Sequence, residues 1–380
     1  MLRFLDAGES HGKALIAILE GLPANIKLNI DHINDELTRR QRGYGRGNRM
    51  KIEKDSVEIW SGLRGNVTTG NPISLIIFNK DYENWKKILE SEPNEEEKIG
   101  IARPGHGDYV GFIKYKTGDI RNTIERTSAR ETAIRTAIGA VCKQVLKNLN
   151  IEVRSKVQCI GSICDEDVDI FNDDLYKVIE YSDVRVFSKE IEDKIKLKID
   201  KLKLEGDTIG GSINVQVSGV PVGIGSYVHY DRKLDGILSQ AIMSVQGIKA
   251  LEFGNTLNSS MIGSTFNDEM YFEGGNLNRY SNNSGGIEAG VSNGEIISIT
   301  AFMKPIPTVK KNLRTVDLIK KENTIARYER SDVCGVVPAS IVLENVIAFE
   351  ILKEILEAYP SDDFTSLLKY IKKDRKCANE

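Results

Sequence analysis

Arg39-Arg-Gln-Arg-Gly-Tyr-Gly-Arg-Gly-Asn-Arg49 puts five arginines and three glycines into eleven residues, with Tyr44 as the one large side chain to pack. An unpaired buried guanidinium costs more than its packing returns, so the run cannot enter a core unless something anionic meets it. Arginine's planar fork binds carboxylate and phosphate bidentately, and glycine lets backbone approach a ligand closely. Two readings fit the run by itself: an anion clamp, or a solvated arginine-glycine segment that adheres to nucleic acid. The surrounding chain has to decide.

Across 380 residues, 40% are hydrophobic and 28% charged, the composition of an ordinary globular protein with ample core. The net charge is −3, whereas a dedicated nucleic-acid binder is usually basic overall. A local basic run on a near-neutral body favours a small anionic ligand. Cys142, Cys159, Cys164, Cys334 and Cys377 show no CxxC pair and no metal-ligand spacing with histidine. Reduced thiols in a cytoplasmic protein are the expectation, with Cys159 and Cys164 giving no disulfide framework and no metal bound. No stretch of 18 apolar residues suggests a membrane span, and the N-terminus lacks a signal peptide's apolar run.

Upstream of the run, Gly8-Glu-Ser-His-Gly12 turns into Ala14–Leu19, an apolar stretch that reads as a buried strand. His11 therefore sits at a strand start between glycines. Asp31–Arg42 has helical spacing and carries the arginines at its C-terminal end, where cations suit the helix dipole. Val57–Ile59 and Ile73–Phe78 read as strands, and Glu83–Leu89 as a short helix. Ala102-Arg-Pro-Gly-His-Gly-Asp-Tyr109 is a loop composition in which Asp108 could orient His106 for acid/base work. Ser128-x-x-Glu131 is a capping box ahead of an apolar-striped helix ending near Asn148, and Arg130 in its first turn suggests a bound anion.

The middle of the chain is expected to be a strand over Ile151–Ile163, a charged helix over Lys189–Leu204 and strands over Gly210–Val228, with solvent-facing charges. A helix from Leu234 to Val245 ends at the glycine corner Gln246-Gly247. A strand, Glu295–Met303, runs into Lys304-Pro-Ile-Pro-Thr308. After Arg330-Ser-Asp332, a helix over Pro338–Tyr359 presents Ile341, Val342, Val346, Phe349, Leu352 and Leu356, and residues 372–380 are expected to fray.

Arginines near glycines or helix ends, two histidines in tight polar loops and two aspartates suit proton transfer on a substrate with several negative charges. Gly8–Gly12, Arg39–Arg49, Arg103–Asp108, Glu125–Arg130, Lys304–Thr308 and Arg330–Glu344 together resemble the chorismate synthase family in order and spacing, from residue 2 to about 358. The resemblance implies an α+β fold over residues 1–380. It would be a single-domain β-α-β sandwich with a helical layer between antiparallel sheets, assembled as a homotetramer. It also implies a lyase: 5-enolpyruvylshikimate 3-phosphate loses phosphate and a ring proton in an anti-1,4 elimination that needs reduced FMN.

Under that resemblance His11, His106 and Asp332 are catalytic, with Asp332 assisting loss of the ring proton. Arg40, Arg46, Arg49, Arg103 and Arg130 hold the substrate's phosphate and two carboxylates. Ser128, Ala129, Arg130, Gln246, Gly247, Ala289, Lys304, Pro305, Ile306, Pro307, Thr308 and Arg330 match FMN positions, and Arg40 and Arg46 match positions tied to NADPH, the possible flavin reductant. Gln246 and Ala250 depart from the family's usual residues at the flavin corner. Neither departure removes a charge or an acid/base group.

Overall fold

The computed structural model describes residues 1–47, 53–92, 94–256, 261–329 and 331–377. Arg49 and Arg330, both expected in the site, lie outside the described residues. Arg3–Ala7, Ala14–Glu20, Ile73–Phe78 and Glu58–Ile59 form, in that order, a four-stranded antiparallel sheet. Ile248–Phe253, Ile297–Met303, Gly211–Ser218, Glu152–Ile160 and Ile163–Cys164 form a five-stranded sheet, also antiparallel throughout.

Helices fill the space between the sheets. The Thr132–Asn148 helix packs on Ala14–Glu20 and Ile73–Phe78, while Val336–Ala358 packs on Glu152–Ile160 and Gly211–Ser218. The two helices also pack on each other and on Ile30–Gln41, so the α+β chain is layered sheet, helices, sheet. Of the 23 residues in Val336–Ala358, 18 are buried, which is why this helix lacks the one-sided stripe of a surface helix. It crosses the Thr132–Asn148 helix closely at Gly139, where a Cβ would lie 2.2 Å from the Asn345 carbonyl oxygen.

Several expectations are corrected. Ala14–Glu20 is buried on one face only: Leu15, Ala17 and Leu19 face the helices, while Ile16 and Ile18 stay 43% and 49% exposed on the outer face. Ile151–Ile163 is a hairpin rather than one strand, turning at Gly161. That turn sets Cys159 opposite Cys164 with Cα atoms 4.0 Å apart, and the two are joined as a disulfide; Cys142 and Cys334 are free and buried. Only Gly211–Ser218 is strand within Gly210–Val228.

The mid-chain charges are not all solvent-facing: Lys156, Arg185 and Glu192 are buried. The capping box does not close, because Ser128 accepts from Arg130 N–H in a short 3-10 turn while Glu131 accepts from Gln246 Nε2 at 2.9 Å. The long helix accordingly starts at Thr132. At the C-terminus a helix, Phe364–Cys377, replaces most of the expected frayed segment. Among the described residues no helix is long and apolar enough to cross a membrane.

Candidate active site

His11 lies in the tight connection between the first two strands, pinned by backbone from both sides. Ser10 N–H donates to the Glu125 carbonyl (2.9 Å), and Asn79 Nδ2 donates to the carbonyls of Gly12 (2.7 Å) and Glu9 (3.2 Å). Glu125, on the short helix Arg121–Thr127, accepts from His11 N–H at 2.8 Å and meets His11 Nδ1 at 3.0 Å. Trp85 stacks on the imidazole at 4.1 Å between ring centres, and Arg121 covers the indole at 4.9 Å. Burial raises the Glu125 carboxyl, but the hydrogen bond and charge of His11 outweigh it and hold it below the usual range. The ionised carboxylate fixes the imidazole's Nδ1 side and directs its chemistry to Nε2.

His106 is held in the same way. Asp108 opens the helix Asp108–Tyr115 and is fully buried. It accepts from Arg103 N (3.0 Å), Nε (2.9 Å) and Nη2 (3.0 Å), and meets His106 Nδ1 at 2.5 Å. Burial pushes its carboxyl up, yet the hydrogen bonds from His106 and Arg103 bring it far below the ordinary carboxylate range. Lys304 Nζ donates to the Gly105 carbonyl at 2.6 Å, and Arg103 Nη1 reaches Thr308 Oγ1 at 3.4 Å, which seats the Lys304–Thr308 loop against this turn.

Alternating charges join the histidines. Arg103 Nη1 donates to Glu329 at 3.0 Å, Glu329 meets Arg327 at 2.7 Å and Arg121 at 3.9 Å, and Arg121 reaches Glu125 at 3.5 Å. His11 and His106, 95 positions apart in the chain (106 − 11), thus belong to one network. Burial, with Arg103 and Arg121 close by, draws the Arg327 guanidinium below its usual range despite Glu329.

The arginine run divides. Arg39 turns away from the histidines toward Glu36 (2.6 Å), Glu180 (2.6 Å) and Glu344 (2.8 Å). Arg40 is buried, with Nε on Thr132 Oγ1 (3.0 Å), Nη2 on the Ala129 carbonyl (3.0 Å) and Nη1 3.5 Å from Asp55. Burial lowers it to about 10, with Asp55 opposing and Arg130 and Arg46 reinforcing the drop. Arg130 grips Asp55 at 2.7 and 2.8 Å and donates to Asn79 at 2.9 Å, while its Nη2 is buried without a hydrogen-bond partner. Arg46 pairs with Asp332 at 2.7 Å, and Asp332 also accepts from Gly47 N–H at 2.6 Å.

The positions matched to flavin fall in two places. Lys304 N–H donates to the Gly247 carbonyl (2.9 Å), so Gln246-Gly247 adjoins Lys304–Thr308, and Gln246 ties this corner to Glu131. Gln246 Oε1 is buried with no hydrogen-bond partner. Ala289 sits apart, in the turn after Ile287–Glu288 beside Lys233, at the opposite end of the Leu234–Met243 helix from Gln246. A cavity of about 780 Å³ meets the region only at Glu131, and the charged network lies along loops outside it.

Sequence reasoning missed Asp55, Trp85, Arg121, Arg327 and Glu329. Trp85 carried a signal, as one of two tryptophans beside polar loops; the others lie in segments with no distinguishing composition. Among the described residues no group of acidic, histidine or cysteine side chains is arranged to hold a metal.

Comparison with known proteins agrees with this geometry. The family model described as chorismate synthase matches residues 2–356. A chorismate synthase from Clostridium tetani (strain Massachusetts / E88) is 60% identical over 371 residues, 98% of this chain and 96% of that one. One from Alkaliphilus oremlandii (strain OhILAs) is 54% identical, covering 95% of each chain. A solved structure titled "Crystal Structure of Chorismate Synthase" superposes with a TM-score of 0.81 at 36% identity, covering 100% of this chain and 99% of that one. With the family model spanning nearly the whole chain and the same architecture in a solved relative, this chain belongs to the chorismate synthase family, lyases of the shikimate pathway to the aromatic amino acids.

Proposed function

We propose that this chain converts 5-enolpyruvylshikimate 3-phosphate to chorismate by anti-1,4 elimination with reduced FMN. In that reaction a ring C–H bond and the C–O bond to phosphate break, the C–H electron pair ends in the new ring double bond, and phosphate leaves. The observation that carries the reading is the single network containing both histidines, each oriented by a buried carboxylate, Glu125 or Asp108. Acid/base catalysis needs imidazoles held in one orientation, and a buried carboxylate on Nδ1 supplies it.

The residues around the corner fit a flavin. Gln246 Oε1 is a buried acceptor without a donor. Ser128-Ala129-Arg130, Gln246-Gly247 and Lys304–Thr308 would hold it, with Arg330 and Ala289 as further matched positions. When bound, reduced FMN supplies electron density for C–O cleavage without net oxidation. His106 gives a proton to the flavin or to the departing phosphate, His11 serves the reduced flavin, and Asp332 assists removal of the ring proton. Arg46, Arg103 and Arg130, with Arg40 and Arg49, bind the substrate's phosphate and two carboxylates.

NADPH acting through Arg40 and Arg46 is the reductant in this reading, checked by bleaching of oxidised FMN on anaerobic addition of NADPH. The single-domain reading is supported by one contiguous core from Leu2 to Ile371. A homotetramer is supported by the apolar outer face of the first sheet, where Leu5, Ile16, Ile18 and Phe78 are exposed and Trp60 lies beside Phe78. A cytoplasmic setting goes with the pathway. Anaerobic incubation of the purified chain with dithionite-reduced FMN and the substrate should release phosphate and chorismate together. Folded, flavin-bound protein that releases neither sinks the proposal.

A further inference from the structure

Arg103, Arg121 and Arg327 come from separate segments but stand on one small platform. Ala102, Ile120 and Ile124 form a buried cluster with Ile99, Phe112 and Leu318 packed against it. Ile120 N–H donates to the Ile99 carbonyl (3.0 Å), and the hairpin of Arg314–Asp317 and Glu322–Ile325 docks on the same stretch through Ala102 N–H to the Val316 carbonyl (3.2 Å). Arg121 follows Ile120 directly, Arg103 follows Ala102, and Arg327 leaves the hairpin two residues after Ile325. Rigid backbone therefore aims all three guanidinium groups at one spot.

The Glu329 carboxylate occupies that spot, 3.0 Å from Arg103 Nη1, 2.7 Å from Arg327 Nη1 and 3.9 Å from Arg121 Nη1. Asp108 also holds Arg103 and Glu125 lies 3.5 Å from Arg121, but Glu329 is the one carboxylate among the described residues that all three guanidinium groups share, and the one paired with Arg327. Arg327 Nε and Nη2 are buried with no hydrogen-bond partner, a costly state for charged donors. Glu329 itself is only partly buried, its side chain 26% exposed to solvent. The cluster is short of oxygen acceptors at Arg327, and a phosphate group, with more oxygens than a carboxylate, supplies them.

We infer that Arg103, Arg121 and Arg327 form a phosphate-binding subsite in which Glu329 is the resident stand-in, displaced outward when a phosphate group arrives. The inference rests on the proposed function only for which phosphate it receives, that of the substrate or that of the flavin. It adds Arg121, Arg327 and Glu329 to the residues that handle anions. Glu329 then acts against binding: removing its charge removes a competitor for the guanidinium groups.

The test is titration of the full chain with inorganic phosphate by calorimetry. Glu329→Gln should bind phosphate about tenfold more tightly than the unaltered chain, and Arg327→Gln about tenfold more weakly, the size of one charge-assisted contact. Glu329→Asp, which keeps the charge but withdraws it, should fall between the unaltered chain and Glu329→Gln and guards against a misfolded glutamine variant. Equal or weaker phosphate binding in both Glu329 variants overturns the inference. Competition then identifies the source: displacement by FMN but not by substrate assigns the flavin phosphate, and the reverse assigns the substrate's. Phosphate binding indifferent to both overturns a role in this site. The heat of binding needs no turnover, so an inactive chain that still shows the Glu329→Gln gain would refute the elimination reaction and leave the subsite standing.

Discussion

At the scale of single residues, each histidine depends on a carboxylate behind it. Asp108 holds Arg103 through three donors and His106 through a fourth, so it sets the position of an anion-binding group and of an acid/base group together. Asp108→Asn keeps the volume and one acceptor but loses the charge that orients the imidazole. Turnover should fall by about 100-fold or more, the usual span of an acid/base contribution, while FMN affinity measured by fluorescence quenching stays nearly constant. A loss of FMN affinity as large as the loss of turnover would show that the aspartate supports the flavin corner instead. The histidines and Arg103 were legible in the sequence because their loops are compositionally unusual. Their supporting carboxylate Glu125 stood inside a recognised segment, but its approach to His11 joins positions 114 apart and leaves no local pattern.

At the scale of elements, the Lys189–Glu205 helix has a task its charged sequence did not announce. It backs the glycine-arginine loop. Tyr44 OH donates to Asp200 at 2.8 Å, Tyr44 N–H donates to the Asp183 carbonyl at 3.0 Å, and Lys196 Nζ sits 5.4 Å from the centre of the Tyr44 ring. A Cβ on Gly45 would come within 2.8 Å of Ile199 on the same helix, so loop and helix are in direct contact. Val333 N–H donates to the Gly45 carbonyl at 3.0 Å, which carries this support to the Arg46–Asp332 pair. Tyr44→Ala should raise the substrate KM about tenfold, as for one misplaced bidentate contact, with kcat and melting temperature little changed. An unchanged KM with a lowered kcat would argue against loop positioning. The helix itself was legible from its spacing, but its partner was not, because amphipathic periodicity says that one face is covered and not by what.

At the scale of the whole molecule, the helical layer is tied together through Glu344, buried at the centre of the Val336–Ala358 helix. It accepts from Arg39 (2.8 Å), Lys143 (2.8 Å), Ser155 (2.7 Å), Tyr176 (3.2 Å) and Arg185 (3.1 Å), which arrive from three helices, a strand and a loop. Burial pushes its carboxyl up, but Arg39, Lys143 and Arg185 overcome this and hold it well below the usual value. Glu180, buried but paired with Arg185 and Arg39, is held down at about 2. A carboxyl depressed by folding contributes stability that is complete above its unfolded value, about 4.3, and is lost as pH falls through the folded one. Urea unfolding should therefore show stability declining from about pH 4.5 down toward pH 2. Glu344→Gln should cost about 3 kcal/mol at pH 7, because it leaves buried cations without their partner. Its stability should also fall less steeply in acid, and an identical slope would exclude Glu344 as the titrating group.

The sequence by itself determined the large elements and the family resemblance: period-two and helical spacing place the main strands and helices, and six ordered motifs recur through the chain. It also located His11, His106, Arg103 and Asp332, since glycine, proline and charge concentrated in short loops mark backbone shaped for a ligand. Only the tertiary structure decided which charges meet. It sent Arg39 into the helical layer, closed Arg130 onto Asp55, joined Cys159 to Cys164 across a hairpin and brought Glu329 among three arginines. Those pairings follow from how the layers stack and how the loops dock on them. Charge attraction acts over a few ångströms of space and takes no account of separation along the chain.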